Sequence, residues 1–292
     1  MKIKAIAIFA CVCLTVFAQP TIWNGTADVS WYNDGDTVFY ISTAEQLAGL
    51  SQLVGKGNEF KDKTIKLTQD IYLNDTSGWK NWDKYPPRNE WRQIGFLISG
   101  GWWFRIEPFM GKFEGDGHFI YGMYIYYRRY PLWVICPKGL FGWTKNAIIN
   151  NVGLSHFYIY SNNYYLATIT GINTNSIIEN CAISGVINGN KFVGGISGAT
   201  TEQGKIISNS VYAEITGDEF VGGISGFVKN SNVSENNFNG NVLGYSRSVG
   251  VLAGGAFGKS VIVNNEFSNK NNAKIVGKSK RKTIVENNNI RR

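Results

Sequence analysis

A glycine-ended unit recurs about every 28 residues through the middle of the chain, and this period restricts the possible folds more than any other feature. The units lie at residues 139–142, 169–171, 193–198, 221–226 and 254–258, and their last glycines are separated by 29, 27, 28 and 32 residues. Repeats of this length are typical of proteins built from stacked structural units. The period therefore predicts a repeat fold in which each unit packs on the next.

A column of asparagines runs in phase with the glycines. The segments between the two columns are short and alternate apolar with polar residues, as from Ile207 to Ile215, which is typical of strands with one buried face. We interpret the asparagines as a structural ladder, in which equivalent side chains of successive coils hydrogen-bond along the stack. The ladder residues are Asn151, Asn180, Asn209, Asn236 and Asn265.

A unit of this length accommodates roughly three short strands with turns between them. Stacking such coils at about 4.8 Å supplies parallel hydrogen bonds and buries the apolar face of each strand. We therefore predict an all-β fold, a parallel β-solenoid or β-helix, and right-handed crossovers between its strands. A β-propeller is the alternative, but its blades need about 40 residues and four strands each.

The units from Gly139 onward also resemble the GLUG repeat, a short motif of bacterial secreted and surface proteins. Residues 193–198 and 221–226 are the clearest copies, and the stretch from Phe109 to His118 is similar to the coil that commonly precedes such repeats. Similar repeats occur in adhesin-like proteins and in accessory regions of immunoglobulin A metalloproteases. The resemblance implies a secreted or surface-exposed β-solenoid, and no catalytic residue is carried over with it.

Residues 1–18 have the pattern of a secretory signal peptide. Lys2 and Lys4 precede a short apolar run, and Ala18 occupies the expected cleavage position. The run is shorter than the roughly 20 residues that a membrane span requires, and a lipoprotein signal ending at Cys11 is a weaker alternative. We expect a secreted or cell-surface protein, in which two cysteines remain after cleavage as buried thiols, although one disulfide is also allowed.

The segment 19–98 lacks the repeat, and we interpret it as an N-terminal cap that covers the open edge of the first coil. The sequence from Ser42 to Glu45 has capping-box spacing and precedes a helical pattern of apolar residues, which predicts one short helix from Ala44 to Val54. The solenoid is expected over 99–292, with the GLUG-like repeats at 139–258.

Two insertions rich in aromatic residues and arginine interrupt the coils before the repeats. Aromatic rings beside guanidinium groups suit sugar rings and anionic groups, so we predict a weak ligand-binding site there. The alternative is that these aromatic residues fold back over the end of the solenoid, and the same two interpretations apply to Trp79 and Trp82. The candidate binding residues are Trp102, Trp103, Arg105, Tyr127, Arg128, Arg129 and Trp133.

Positive charge is concentrated near the end of the sequence. The formal net charge of +8 falls to +6 without Lys2 and Lys4, and residues 270–292 hold eight Lys or Arg residues against one acid, Glu286. This basic tail could bind an anionic polysaccharide by screened electrostatics, or it could be a solvated final coil. Nucleic acid is an unsuitable partner for an exported protein, so we expect none.

Catalytic and metal-binding patterns are scarce. The two histidines, His118 and His156, are 38 residues apart without metal-ligand spacing, and we predict no metal, cofactor or catalytic set. A carbohydrate-active enzyme, either a polysaccharide lyase or a glycoside hydrolase, is the alternative, with Glu179 and Glu235 expected about 10 Å apart on one flank. A structural spacer is a third possibility. The favoured prediction is surface binding or adhesion to a glycan or another extracellular polymer.

Overall fold

The chain forms a parallel β-solenoid, as predicted from its repeat. The structure, a computed structural model, describes residues 20–95, 97–100, 103–128, 136–245, 248–268, 274–280 and 282–290, with the backbone alone for 97–100 and 103–106. Short strands of successive coils pair in parallel and stack into four sheets around one core. The all-β class and the solenoid architecture are therefore confirmed.

Two long sheets extend through the described stack. Sheet 1 contains Val38–Ile41, Thr64–Leu67, Lys112–Glu114, Ile148–Asn150, Ile177–Glu179, Lys205–Ile207, Asn232–Ser234, Val261–Val263 and Ile284–Glu286. Sheet 2 contains Ile71–Tyr72, Phe119–Tyr121, Gly153–Ser161, Ala182–Asn188, Ser210–Gly217, Asn237–Phe238, Glu266–Phe267 and Asn289–Ile290, with Tyr124–Tyr127 and Asn241–Gly244 paired beside this series.

Two shorter sheets close the coils. Sheet 3 contains Tyr164–Leu166, Lys191–Gly194, Glu219–Gly222 and Val249–Gly250. Sheet 4 contains Phe141–Lys145, Thr170–Thr174, Ser197–Thr201, Ser225–Lys229, Ala253–Phe257 and Val276–Ser279. A repeat coil thus has four short strands where the sequence predicted roughly three, because an extra corner separates sheet 3 from sheet 4.

Corners with left-handed backbone separate the strands. One corner column holds Asn146, Asn175, Glu202 and Asn230, and a second holds Asn151, Asn180, Ser208, Glu235, Asn264 and Asn287, all with φ between 48° and 60°. Asparagine adopts this conformation more readily than other non-glycine residues, which explains much of the Asn-rich texture of the sequence. The third column is aromatic, with Tyr165, Phe192 and Phe220 stacked at centroid distances of 4.7 and 5.1 Å.

The buried asparagine ladder is one residue out of phase with part of the predicted set. Asn209 Nδ2 donates to Asn236 Oδ1 at 2.9 Å, Asn236 Nδ2 to Asn265 Oδ1 at 3.0 Å, and Asn265 Nδ2 to Asn288 Oδ1 at 2.8 Å. Each backbone N–H of Asn209, Asn236 and Asn265 also donates to the Oδ1 of the next coil.

Asn151 and Asn180, which the spacing grouped with this ladder, lie instead in the second corner column. The register of sheet 1 aligns Ile149, Ile178 and Ile206, so the ladder positions of these earlier coils are Val152 and Cys181. The ladder therefore begins as a hydrogen-bonded asparagine series only at Asn209.

Cys181 reproduces the ladder bonds with sulfur. Its Sγ donates to the carbonyl of Glu179 at 3.3 Å, as Asn209 Nδ2 does to the carbonyl of Ile207 at 3.0 Å, and its backbone N–H donates to Asn209 Oδ1. Burial raises the pKa of the Cys181 thiol to about 12, although the backbone N–H of Val152 bonds to the sulfur and opposes this shift. Both cysteines of the described chain are buried free thiols, as expected.

We expect the free energy of unfolding of Cys181→Asn to lie within about 1 kcal/mol of that of the unsubstituted protein, because an amide can make the same two side-chain hydrogen bonds. Cys181→Ala is expected to lower the free energy of unfolding by about 1–2 kcal/mol, since the buried N–H of Val152 then lacks its acceptor. Urea unfolding followed by circular dichroism measures both values. An asparagine variant as unstable as the alanine variant would contradict the equivalence of the two side chains.

The predicted helix is present as Ala44–Gly55. Its N-cap is Thr43, whose side chain accepts the N–H of Gln46 at 3.2 Å, so the cap lies one residue later than the predicted capping box. The segment before residue 99 also contributes strands to sheets 1 and 2, with Val38–Ile41 at the end of sheet 1. The helix and the first coils therefore belong to one packed unit.

The inward side chains of the sheets form the core. Equivalent positions of sheet 1 are fully buried along the stack: Ile65, Phe113, Ile149, Ile178, Ile206, Val233 and Ile262. Burying a side chain of this size stabilises the fold by about 1.5–3 kcal/mol. Within the described part of the chain, no helix has the length and apolar character that crossing a bilayer requires.

Two segments singled out from the sequence have defined backbones. Leu97–Gly100 and Trp103–Ile106 form an antiparallel hairpin, which is the first aromatic insertion. The described part of the basic tail forms a final coil, because its strands pair in parallel with the preceding coil in sheets 1, 2 and 4. Its described residues therefore extend the solenoid.

Candidate ligand-binding face

The outer face of sheet 2 carries a strip of tyrosines. Side chains alternate along a strand, so residues of the same parity point away from the core, and parallel pairing places equivalent residues of neighbouring coils side by side. Register pairs Tyr72 with Tyr121, Tyr124 with Tyr158 and Tyr126 with Tyr160. We call these six residues the tyrosine strip.

The paired rings stack across neighbouring coils. Centroid distances are 4.7 Å for Tyr72 and Tyr121, 6.0 Å for Tyr124 and Tyr158, and 5.0 Å for Tyr126 and Tyr160. The spacing of parallel strands, about 4.8 Å, imposes this stacking once both positions are aromatic. The stacking therefore holds the rings of the strip in a fixed orientation.

Arg128 lies over the last pair. Its guanidinium carbon is 5.1 Å from the ring centroid of Tyr126 and 5.2 Å from that of Tyr160, and the side chain is exposed. This is a cation–π arrangement, and the guanidinium group is accessible from solvent. Arg128 is thus the predicted binding residue that the structure places in an aromatic site.

Tyr127 has a different environment. It follows Tyr126 in the strand and pairs with the buried Ser161, so it lies on the opposite side from the strip. Lys138 Nζ is 4.2 Å from its ring centroid. Tyr127 therefore does not contribute to the tyrosine strip.

The loop between Asn74 and Asn89 covers one end of the strip. Asn89 N–H donates to Asn74 Oδ1 at 3.0 Å, and Asn74 Nδ2 donates to the carbonyl of Asn89 at 2.8 Å, which closes the base of the loop. Trp82 is buried and packs edge-on against Tyr124 at 5.8 Å, while Trp79 packs against His156 at 5.4 Å. Covering the strip is therefore the role of Trp82.

This covering affects the tyrosine hydroxyls. Burial raises the pKa of Tyr124 to about 12, with the nearby carboxylate of Glu90 adding to the shift. Burial also raises the pKa of Tyr158, despite a hydrogen bond from Asn188 that opposes it. Both phenols are therefore neutral at physiological pH and act as hydrogen-bonding groups rather than as bases.

A shallow groove continues the same face beyond the strip. It has a volume of about 270 Å³ and lies between the rings of Phe119 and Tyr212. Its floor consists of small residues, Ala182, Ser184 and Ser210, and Asn237 and Asn239 also line it. Phe119 lies flat on Gly153, where a Cβ would meet its ring at 2.3 Å, so this glycine gives the groove its aromatic wall.

A β-bulge divides the strip, because Tyr121 pairs with Ser155 before the bulge and Tyr124 pairs with Tyr158 after it. The pairing of Gly153–Ser161 with Ala182–Asn188 shifts register between Ser155 and Phe157, and His156 has φ of 56°. The bulge brings two successive side chains together, and Ser155 Oγ lies 3.0 Å from His156 Nδ1. His156 is thereby held between Trp79 and Tyr121.

Other predicted site residues fall elsewhere. Trp102, Arg129 and Trp133 lie outside the described residues, whereas Trp103 and Arg105 belong to one strand of the hairpin, described by its backbone. Tyr158 and Tyr160, which complete the strip, were not predicted from the sequence. The sequence pattern that could have identified them is the alternation of tyrosine with other residues from Phe157 to Tyr160, which matches the pattern from Tyr124 to Tyr127.

The two carboxylates considered for catalysis do not form a pair. Glu179 lies at the end of a sheet 1 strand and aligns with Asn150 and Ile207, whereas Glu235 is in the second corner column and accepts a bond from Ser208 at 3.1 Å. The expectation of equivalent outward positions was wrong, because the two residues differ by one position in register. No group of three potential metal-ligating side chains occurs among the residues that the structure describes.

Comparisons with known proteins support the architecture. No family model and no curated protein matches the chain. A crystal structure of a Bacteroides ovatus protein, provisionally assigned as an immunoglobulin A1 protease, is similar with a TM-score of 0.50 and 19% sequence identity. The match covers 82% of this chain and 77% of the other. At this level of identity the likeness shows a shared β-solenoid fold and nothing about activity.

Proposed function

We propose that this protein is an exported surface-binding protein that holds an extended polysaccharide along the outer face of sheet 2. The stacked pair of Tyr126 and Tyr160 under Arg128 carries this proposal. The resemblance to GLUG-repeat adhesins and the signal-like residues 1–18 support export and surface exposure. Mass spectrometry of the N-terminal peptide of the protein recovered from the culture medium or envelope is expected to show that the chain begins at Gln19, with or without cyclisation of this residue.

The chemistry of the face fits a sugar chain. The flat, apolar faces of pyranose rings stack on aromatic rings, while Arg128 supplies donors to hydroxyl or carboxylate oxygens. The groove beyond the strip offers serine hydroxyls and asparagine amides beside two further rings. A polymer with several successive contacts gains affinity from each of them without a deep pocket.

The test is retention of the purified protein on a panel of plant and bacterial polysaccharides. Tyr160→Ala combined with Arg128→Ala is expected to weaken retention on the bound polymer at least about tenfold, because ring stacking and the guanidinium contact are lost together. Tyr40→Ala removes a tyrosine of sheet 1 that is 60% exposed and lies outside the tyrosine strip, and it is the control. Equal retention of both variants would contradict the site.

The same assay distinguishes binding from catalysis. Reducing ends, unsaturated products and released acyl groups are measured in each incubation, with and without calcium. We expect retention without products. Products formed in proportion to the amount of protein would replace the binding proposal by the enzymatic alternative and would direct substitutions to Ser155 and His156.

A further inference from the structure

Three buried, chemically reactive side chains meet where the cap joins the first repeat coil. Gln93 is 2% exposed, Cys136 5% and Lys138 8%. Gln93 Nε2 donates to Cys136 Sγ at 3.4 Å, and Lys138 Nζ donates to Gln93 Oε1 at 3.3 Å. A nucleophilic sulfur and an amine therefore both contact one carboxamide, away from the ligand-binding face.

The buried ammonium group has no anionic partner in the described part of the chain. Among the described residues, no carboxylate lies within 4.0 Å of Lys138 Nζ, whose neighbours are the Gln93 amide oxygen and the ring of Tyr127. Burying an unpaired charge is strongly unfavourable. A reaction that converts this ammonium into a neutral amide would remove that cost.

Backbone bonds fix the positions of Gln93 and Lys138, and Cys136 lies two residues before Lys138 in the chain. The carbonyl of Gln93 accepts the hydroxyl of Ser51 at 3.0 Å, and the neighbouring Ile94 bridges to Phe141. Lys138 bridges to Leu166 of the next coil. The reacting groups are therefore held together by the stacked coils, which raises their effective concentration.

We propose that Gln93, Cys136 and Lys138 form an intramolecular acyl-transfer site that joins the side chains of Gln93 and Lys138 through an isopeptide bond. In the first step Cys136 Sγ attacks Gln93 Cδ while the Lys138 ammonium stabilises the developing negative charge on Oε1. The Sγ–Cδ bond forms, the Cδ–Nε2 bond breaks, and the thiol proton leaves with the nitrogen as ammonia.

The second step consumes the thioester. Ammonia takes one proton from the Lys138 ammonium and departs as ammonium, and the free amine attacks Cδ. The Nζ–Cδ bond forms, the Sγ–Cδ bond breaks, and a second lysine proton returns to sulfur. The thiol of Cys136 is regenerated, and the net change exchanges ammonium for a secondary amide without any oxidant or reductant.

The bond would connect the cap to the repeats. It closes a loop that contains both aromatic insertions, the first of which is the hairpin. The covalent bond therefore prevents the cap from separating from the first repeat coil. Such a link restricts the unfolded chain as a disulfide does, but it is insensitive to reductant.

Tryptic peptide mapping of the purified full chain tests the proposal. Cleavage after Arg92 and Arg129 releases peptides 93–105 and 130–145, and a linked Lys138 resists cleavage, so a branched peptide containing both segments is expected. The branched species is the deciding signal, because an N-terminal glutamine also loses ammonia by cyclisation. Two separate, unlinked peptides from the folded protein would overturn the proposal.

Variants assign the roles. Lys138→Arg and Cys136→Ala are expected to lose the branched peptide, whereas Cys181→Ala, which removes the other buried thiol, is expected to retain it. Circular dichroism establishes that each variant is folded. If the Cys136→Ala protein still contains the branched peptide, acyl transfer through sulfur is overturned. If either variant fails to fold, the peptide map of the unsubstituted protein decides the proposal.

Discussion

Asn236→Ala is expected to lower the free energy of unfolding by about 3–5 kcal/mol, since buried donors that lose their acceptor cost about 1–3 kcal/mol each. Asn236 Oδ1 accepts both the backbone N–H and the side-chain Nδ2 of Asn209. Its own Nδ2 donates to the carbonyls of Ile206 and Ser234. Alanine removes all of these bonds at a position that is 1% exposed, where water cannot replace them.

The adjacent residue provides the control. Asn237 points outward from sheet 2, and its Oδ1 has no hydrogen-bond partner among the described residues. Asn237→Ala is therefore expected to change stability by less than about 1 kcal/mol. Chemical unfolding of the two variants measures the difference, and similar losses in both would show that the ladder does not stabilise the stack.

Gly222→Ala is the second substitution with a large expected effect. A Cβ at this position would lie 2.2 Å from the carbonyl oxygen of Ser225 and 2.7 Å from the Cα of Ala253 in the next coil. Both obstacles are backbone atoms, so no side-chain rotation relieves them. We expect a loss of about 3–5 kcal/mol, above the usual range for overpacking, because two coils would have to separate.

Gly78→Ala is the matched control for this effect. No atom lies within 4 Å of a Cβ built there, and its φ of −107° is open to any residue. Its stability is expected to stay within about 0.5 kcal/mol of the unsubstituted protein. Thermal unfolding of both variants gives the comparison, and a Gly222→Ala protein as stable as Gly78→Ala would contradict close coil contact at this corner.

Glycine recurs at the position of Gly222 in successive coils. Gly194, Gly222 and Gly250 are equivalent, and in each a Cβ would meet a carbonyl oxygen three residues later at 2.1 or 2.2 Å. None of the three has positive φ, so close approach of the backbone, rather than left-handed conformation, selects glycine here. The left-handed corners are occupied instead mainly by asparagine and aromatic residues, with Glu202, Ser208 and Glu235 as exceptions.

The asparagine columns illustrate a limit of sequence spacing. Two columns, one buried and one at the corner, are adjacent in every coil, and both favour asparagine for different physical reasons. From spacing alone, Asn180 and Asn209 are equivalent, whereas the strand register places Asn180 at a corner and Asn209 in the ladder. A shift of one residue cannot be detected without the hydrogen bonds that define register.

The candidate site was only partly accessible from the sequence. Arg128 was identified from its aromatic neighbours, but its principal ring partner from the next coil, Tyr160, is 32 residues away in a segment that reads as ordinary strand. Stacking of equivalent positions in successive coils creates the tyrosine strip. Aromatic residues that are close in sequence therefore revealed the insertions. The binding surface itself is formed by residues of successive coils that are far apart in sequence.

The sequence by itself determined the solenoid, because a period of about 28 residues with glycine corners and alternating strands leaves each coil unable to pair its backbone except with the next coil. Only the tertiary structure decided which asparagines form the ladder, which tyrosines stack and how Gln93, Cys136 and Lys138 meet. These features depend on register between coils, and register is fixed by backbone pairing and core packing along the whole stack rather than by any local pattern.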